Sequence, residues 1–175
     1  SYLCRRSDQE GLDKLIKGIE DAGGSASGSL LNAIEEDVLE EIITKVESDV
    51  GPIEVLVYNL GAQTGMKLLS QTTHKEFEWG WRMASFGLFR AAKVLCPIMA
   101  ERGKGTFLVT SATAAMRGNA TQHSHAAAMG ARRMLCQSLN AEFAPKGIHV
   151  AHIVVDGAVD APDTLGKMLG PEMYQ

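Results

Sequence analysis

Ile53-Glu54-Val55-Leu56-Val57-Tyr58 is the stretch of sequence that decides the fold. It is apolar and largely β-branched apart from Glu54, which is typical of a strand that is covered on both faces. Strands buried in this way belong to parallel sheets, and parallel neighbours are joined by helical crossovers. The chain is therefore predicted to be an α/β protein.

Helical and strand-like segments alternate on both sides of this run. Before it, Leu12 to Ile19 repeat at helical spacing up to Gly23-Gly24, and Val38 to Val46 form the apolar face of a second helix. The further predicted elements are a strand tail at 1–4, a short apolar stretch around 29–31, a helical segment from about Lys75 to Ala100, a strand at 106–110, a helix from about Ser124 to Phe143 and a strand at 148–155. This order predicts a Rossmann-like, doubly wound parallel sheet in three layers, α/β/α, as one domain over residues 1–175.

Composition narrows the classes of partner and compartment. The net charge of −4 argues against a nucleic-acid partner. The three cysteines are far apart and form no CxxC pair, which favours a reducing compartment, the cytoplasm or an organelle matrix. No run reaches the roughly 20 apolar residues that span a bilayer, so no membrane insertion is expected. Ser1–Cys4 resembles the tail of a strand, and the first βα unit is expected to lie outside this sequence.

Several motifs follow one another in a characteristic order. They are Val57-Tyr58-Asn59-Leu60-Gly61, Phe107-Leu108-Val109-Thr110-Ser111-Ala112, Met116-Arg117-Gly118 and Phe143-Ala144-Pro145-Lys146-Gly147-Ile148-His149-Val150. In this order they resemble the short-chain dehydrogenase/reductase family, over almost the whole chain. The resemblance implies a cofactor, NADP or NAD, and a glycine-rich turn upstream of Ser1. It also implies that a loop after the last strand sets substrate specificity, of which Ala158 to Gln175 is present.

The resemblance implies four chemical positions, and each carries an unsuitable residue. Aligned on the Met116-Arg117-Gly118 turn, the family's tyrosine falls on His125, its lysine on Met129 and its serine on Ala112. The asparagine that holds a relay water falls on Ala84. Because a phenol near pKa 10 needs a neighbouring cation to act as a base at neutral pH, losing the lysine alone removes that activation. Ser111 or Thr113 would replace the serine if the loop shifted by one residue.

His125 has two interpretations. An imidazole with a pKa near 6.5 can act as a general acid or base without a lysine. Alternatively, His125 is a solvent-facing histidine at the start of a helix. His123 and His125 also form an HxH pair, but no third ligand accompanies it, so no metal site is predicted.

The remaining candidate residues are implied to contact the cofactor. Arg5 and Arg6 end a strand where NADP-preferring relatives place arginines, although a pair of solvated charges is the alternative. The other cofactor candidates are Asn32, Asn59, Gly61, Asp156 and Gly157. Asp156 stands where most relatives have the proline of a Pro-Gly turn.

Two helical segments carry features that bear on assembly. Trp79, Trp81, Phe86 and Phe89 spread around the middle helix, where either core filling or contact with a second subunit explains them. Arg132-Arg133 on the later helix are expected to form a solvated face.

Two functional hypotheses follow. The first is a catalytically impaired homologue kept for nucleotide binding or as an assembly subunit, as a homo-oligomer through the two long helices or within a larger complex. The second is an active NAD(P)(H)-dependent oxidoreductase that acts on a carbonyl or alcohol, with His125 in place of the tyrosine.

Overall fold

The computed structural model describes residues 1–61 and 65–157. Within them, five parallel strands alternate with five α-helices, as the sequence predicts. The strands are β1 Tyr2–Arg5, β2 Ser27–Leu30, β3 Val55–Tyr58, β4 Gly105–Ala112 and β5 Ile148–Val155. The helices are α1 Gln9–Asp21, α2 Val38–Asp49, α3 His74–Trp81, α4 Gly87–Arg102 and α5 His123–Phe143. The predicted α/β class and the Rossmann-like alternation are confirmed.

The strands form two separate parallel sheets, β1-β2 and β3-β4-β5. Their facing edges, β1 and β3, line one cavity of about 1050 Å³. Val55 and Val57 of the β3 edge are 51% and 58% exposed to it. Since β-branched side chains at the centre of a parallel sheet are normally covered, this edge has the character of a central strand rather than an outer one.

The main core lies between the three-stranded sheet and the helices α4 and α5. Leu88, Leu95, Met99, Phe107 and Ile148 are at most 1% exposed there. Burial on this scale supplies most of the stability of an α/β domain, at about 25 cal/mol per Å² of apolar surface. The packed core therefore sets the positions of the residues at the carboxyl ends of β3 and β4.

The middle helical segment runs without a break from His74 to Arg102, because a π-helical turn, Arg82–Phe86, joins α3 to α4. By length and composition alone this segment could cross a membrane, a test that the core helix of a soluble protein also passes. More than half of its most apolar window is buried inside the protein, as expected of a core helix. The π-turn contains Ala84, and such turns are frequent at functional sites.

Two arginines attach α4 to α2. Arg90 donates to both carboxylate oxygens of Glu40 and to the carbonyl oxygen of Glu35. Arg102 donates to both oxygens of Glu47, at 2.6 and 3.2 Å, and to the carbonyl oxygen of Ile53 at 2.9 Å. Arg102 ends α4 and lies at the amino edge of the sheet, away from the ends of β3 and β4 where ligands bind in such folds.

Candidate functional site

Three of the four altered positions meet in one apolar cluster at the carboxyl edge of the sheet. Ala84 is fully buried and Met129 is 3% exposed, and Ala112 packs against them. The rest of this alanine cluster consists of Ala114, Ala115 and Ala128, with Met83 and Ala126 beside them. This part of the carboxyl edge is therefore a small hydrophobic core.

His125 lies in the first turn of α5 and is only 9% exposed. The solvent-facing interpretation of this histidine was therefore wrong. The cause is its place on the inner face of α5, because His125, Ala128, Met129, Arg132 and Cys136 follow one another at helical spacing and are all buried. His125 is the one titratable side chain at the four altered positions.

Ser111, a candidate substitute for the family's serine at position 112, lies beside Met129. Strand β4 extends to Ala112, so it includes both residues. Because neighbouring residues of a strand point to opposite faces, Ser111 faces inward, 8% exposed. Its hydroxyl donates to the Met129 sulfur at 3.5 Å. The Ser111 hydroxyl is thus engaged with a thioether, and Thr113 lies just beyond β4 in a short 3₁₀ turn.

Arg132 is a buried charged residue beside this cluster that the sequence analysis missed. It is 1% exposed, so the prediction of a solvated Arg132-Arg133 face was wrong for Arg132. Its guanidinium lies over the Tyr58 ring, 5.2 Å from the centroid. Burial lowers the pKa of Arg132, but a guanidinium starts so high that it stays protonated. Helical spacing in the sequence could have indicated this burial, because Arg132 follows Met129 by three residues and so lies on the same face of α5.

Tyr58 and Arg132 bring a tyrosine and a cation together near the altered positions, yet the pair does not recreate a proton donor. Burial raises the pKa of the Tyr58 phenol. The phenol donates to the carbonyl oxygen of Met83, inside the core. A catalytic phenol needs its pKa lowered toward neutrality, which is the opposite shift.

Glu76 joins the start of α3 to the start of α5. Its carboxylate binds the Lys67 ammonium and accepts from the Thr73 amide and hydroxyl, both at 2.9 Å. Its carbonyl oxygen accepts from the Ser124 hydroxyl at 3.1 Å. Lys67 in turn donates its amide to the carbonyl oxygen of Thr121 at 2.9 Å. Glu76 therefore contacts α5 through its backbone carbonyl, while its carboxylate holds Lys67, whose amide bonds the chain just before α5.

Replacing this carboxylate by Glu76→Gln is expected to lower the melting temperature in a pH-dependent way. The hydrogen bond from Lys67, followed by those from Thr73, lowers the pKa of Glu76 to about 2. A carboxylate whose folded pKa is lowered stabilises the fold above its unfolded pKa of about 4.5, and this contribution is lost as the pH falls toward 2. The difference between wild type and variant should be full at neutral pH and shrink below about pH 4.5. Thermal melts over this range, with exposed Glu20→Gln as control, measure it; a difference that does not change with pH contradicts it.

The cofactor candidates lie at the carboxyl ends of the strands. Some of them already bond other residues, and others are open to a ligand. Asn59 accepts from the Thr110 hydroxyl through its Oδ1 at 2.5 Å. Among residues 1–61 and 65–157, a Cβ atom added at Gly61 or at Gly157 would meet nothing within 4 Å, which leaves the backbone at both turns open to close approach within this part of the chain. Asp156 is exposed.

The candidates on the two-stranded sheet are partly occupied. Arg5 forms an ion pair with Asp8 at 3.0 Å, while Arg6 is exposed. Asn32 donates to Glu35 at 2.8 Å. Within residues 1–61 and 65–157, no group of three His, Cys, Asp or Glu side chains could hold a metal ion. The specificity segment Ala158 to Gln175 lies outside the described residues.

Three aromatic residues of the middle helical segment form an exposed stripe. Trp81, Phe86 and Phe89 are 42%, 37% and 45% exposed, so core filling was the wrong explanation for them. Their rings stack in series, with centroids 5.2 Å apart for the first pair and 6.3 Å for the second. Trp79 is half-buried.

Comparison with known proteins agrees with this geometry. The chain is 27% identical over 156 residues to the 3-oxoacyl-acyl-carrier-protein reductase of Thermotoga maritima, covering 89% of this chain and 63% of that protein. A short-chain dehydrogenase from Rhodopseudomonas palustris superposes with a TM-score of 0.82 at 32% identity, covering 92% of this chain and 73% of that one. A gluconate 5-dehydrogenase from Burkholderia cenocepacia, solved with NADP and tartrate, has a TM-score of 0.83 at 24% identity and shares the fold, over 94% of this chain and 64% of that one.

The chain spans less than two thirds of the length of the curated relatives that it matches first. Within that span, the family model described as short chain dehydrogenase matches residues 2–166, nearly the whole chain. With the parallel sheet and the order of motifs at its carboxyl edge, this match shows that the chain belongs to the short-chain dehydrogenase family of oxidoreductases.

Proposed function

We propose that this protein is a catalytically impaired short-chain dehydrogenase homologue that binds NAD or NADP and acts through binding or assembly. One observation carries the proposal: Ala84, Ala112 and Met129 come together in a single buried apolar cluster. Scattered substitutions would leave polar remnants of a site. Here the three positions have become mutually packed, so their side chains now serve stability instead of proton transfer.

The lost groups cannot be replaced by what surrounds them. A bound nicotinamide dinucleotide supplies or accepts the hydride, and the protein has to supply the proton and polarise the substrate oxygen. Ser111 bonds the Met129 sulfur, and Tyr58 bonds a carbonyl in the core. His125 is left as the candidate acid or base, without a neighbouring serine hydroxyl at position 112 or an ammonium at position 129.

The residues at the carboxyl edge are better suited to binding a dinucleotide than to catalysing a reaction with it. Open backbone at Gly61 and Gly157 allows a flat or extended ligand to lie against both turns. Asn59, fixed by Thr110, and exposed Asp156 would complete this part of the site. Exposed Arg6 would face the 2′-phosphate of NADP, the cofactor bound by the Burkholderia relative.

Assembly is the second part of the proposal. The stripe of Trp81, Phe86 and Phe89 offers three stacked aromatic rings to solvent, and such residues are enriched at protein interfaces. A homo-oligomer formed through the long helices would cover this stripe. A reducing compartment, the cytoplasm or an organelle matrix, suits the free thiols Cys4, Cys96 and Cys136.

Titration of the full-length polypeptide with NADPH and NADH, followed by a hydride-transfer assay over a panel of carbonyl compounds, tests the proposal. We expect saturable binding of at least one dinucleotide and no turnover above background. His125→Phe should bind as tightly as wild type, because the proposal gives His125 no role in binding.

Two outcomes would contradict the proposal in different ways. Turnover by the wild-type protein that His125→Phe abolishes would establish the alternative, an active oxidoreductase with an imidazole acid or base. Failure of both dinucleotides to bind would remove the nucleotide-binding role and leave assembly alone.

A further inference from the structure

The guanidinium of Arg132 has an unusual set of partners. It donates to three backbone carbonyl oxygens: from Nε to Ala84 at 2.9 Å, from Nη1 to Thr110 at 2.7 Å and from Nη2 to Leu60 at 2.7 Å. Among the described residues, no carboxylate forms an ion pair with it, although Arg132 is 1% exposed. A buried cation without a counter-ion is costly, since removing one ion from water costs several kcal/mol.

The three carbonyls belong to three segments that are far apart in sequence. Leu60 lies in the turn after β3, between the cofactor candidates Asn59 and Gly61. Thr110 lies near the end of β4, and its hydroxyl donates to Asn59. Ala84 lies in the π-turn and in the alanine cluster. One side chain therefore bonds to the backbone of three segments at this edge: the turn after β3, the end of β4 and the π-turn.

Arginine is suited to this arrangement for geometric reasons. Its donors lie in one rigid plane and point in different directions, so three acceptors bound to one guanidinium are held at fixed mutual positions. Hydrogen bonds from a charged donor are stronger than those between neutral groups, so three of them together offset much of the cost of burial. Without the guanidinium, three inward carbonyl dipoles would face one another without donors.

We infer that Arg132 is the positioning residue of the dinucleotide site. It holds the turn 59–61 and the end of β4 against the π-turn in the arrangement that binds the cofactor, and it does so through backbone carbonyls without contacting the ligand. The inference rests on the proposed nucleotide binding. Beyond that proposal, the inference states that the affinity for the dinucleotide depends on Arg132, a residue to which the sequence motifs assign no role.

Arg132→Met and Arg102→Met form a matched pair of variants. Arg102 also bonds a carbonyl and is partly buried, but it lies at the opposite edge of the sheet. Each protein is melted and titrated with NADPH and NADH. We expect both variants to lose thermal stability, and Arg132→Met to bind the dinucleotide at least about tenfold more weakly while Arg102→Met stays within about threefold of wild type. Equal weakening in the two variants, or wild-type affinity in Arg132→Met, overturns the inference.

Amide hydrogen exchange provides a second readout that needs no ligand. It can also be measured on Arg132→Lys if Arg132→Met does not fold. In Arg132→Met, and more weakly in Arg132→Lys, the amides of 58–61 and 110–112 should exchange at least about tenfold faster while those of α1 stay protected. Arg132→Lys keeps the charge but reaches fewer carbonyls, so it is the milder variant if methionine prevents folding. Unchanged exchange at both segments overturns the inference. If the wild-type protein binds no dinucleotide while Arg132→Met still shows this local loosening, only the proposed function is contradicted.

Discussion

The quadruple variant Ala84→Asn, Ala112→Ser, His125→Tyr, Met129→Lys is expected to transfer hydride to a carbonyl substrate at least about 100-fold faster than the natural chain. The reason is that a positioned general acid contributes about 10²–10⁴-fold, and a tyrosine needs a cation one helical turn away to reach a useful pKa. Residues 125 and 129 retain this spacing on the buried face of α5. The alanine cluster brings the other two positions alongside Met129.

The measurement is NADPH oxidation by the full-length polypeptide with the same carbonyl panel. The triple variant that omits His125→Tyr is the control, and it should remain near the natural rate because it lacks the phenol. Met129→Lys puts an ammonium near the buried guanidinium of Arg132, so urea unfolding is followed for each step to separate lost folding from lost chemistry. A fully folded quadruple variant without any gain would contradict the proposal that these four positions impair catalysis.

Gly147→Ala is expected to lower the free energy of unfolding by about 3 kcal/mol or more. Gly147 has φ of +81°, and a left-handed conformation costs an L-residue about 1–2 kcal/mol. In addition, an added Cβ would lie 2.0 Å from the carbonyl oxygen of Gly103. Backbone atoms would have to move apart where the turns before β4 and β5 touch, because the atoms that the added Cβ meets belong to the backbone and not to a flexible side chain.

Gly103→Ala is the matched control for this prediction. Gly103 also has positive φ, +69°, but an added Cβ there meets nothing within 4 Å. It should therefore cost about 1–2 kcal/mol, the conformational term alone. Urea denaturation of both variants gives the two values. Equal losses would mean that the turns separate without cost and that the contact at Gly147 carries no strain.

Motif spacing predicts only part of the arrangement of positions 84, 112, 125 and 129. Positions 125 and 129 lie on one buried face of α5 because the helical repeat places residues four apart above one another. Ala84 lies beside Met129 because of the π-turn, and no local sequence pattern predicted that turn. The extent of β4 was also underestimated: the strand continues to Ala112, and its alternation sends Ser111 inward.

Local sequence by itself determined the class of fold and the identity of the family. Runs such as Ile53–Tyr58 and Ile148–Val155 encode buried strands, and their alternation with helices leaves few topologies, because period and order are properties of the chain alone. Only the tertiary structure decided that Arg132 is buried, that Ala84 and Met129 share a cluster, and that Tyr58 is held in the core. Each of these depends on which segments meet across the sheet, and burial and hydrogen bonding are set by neighbours distant in sequence.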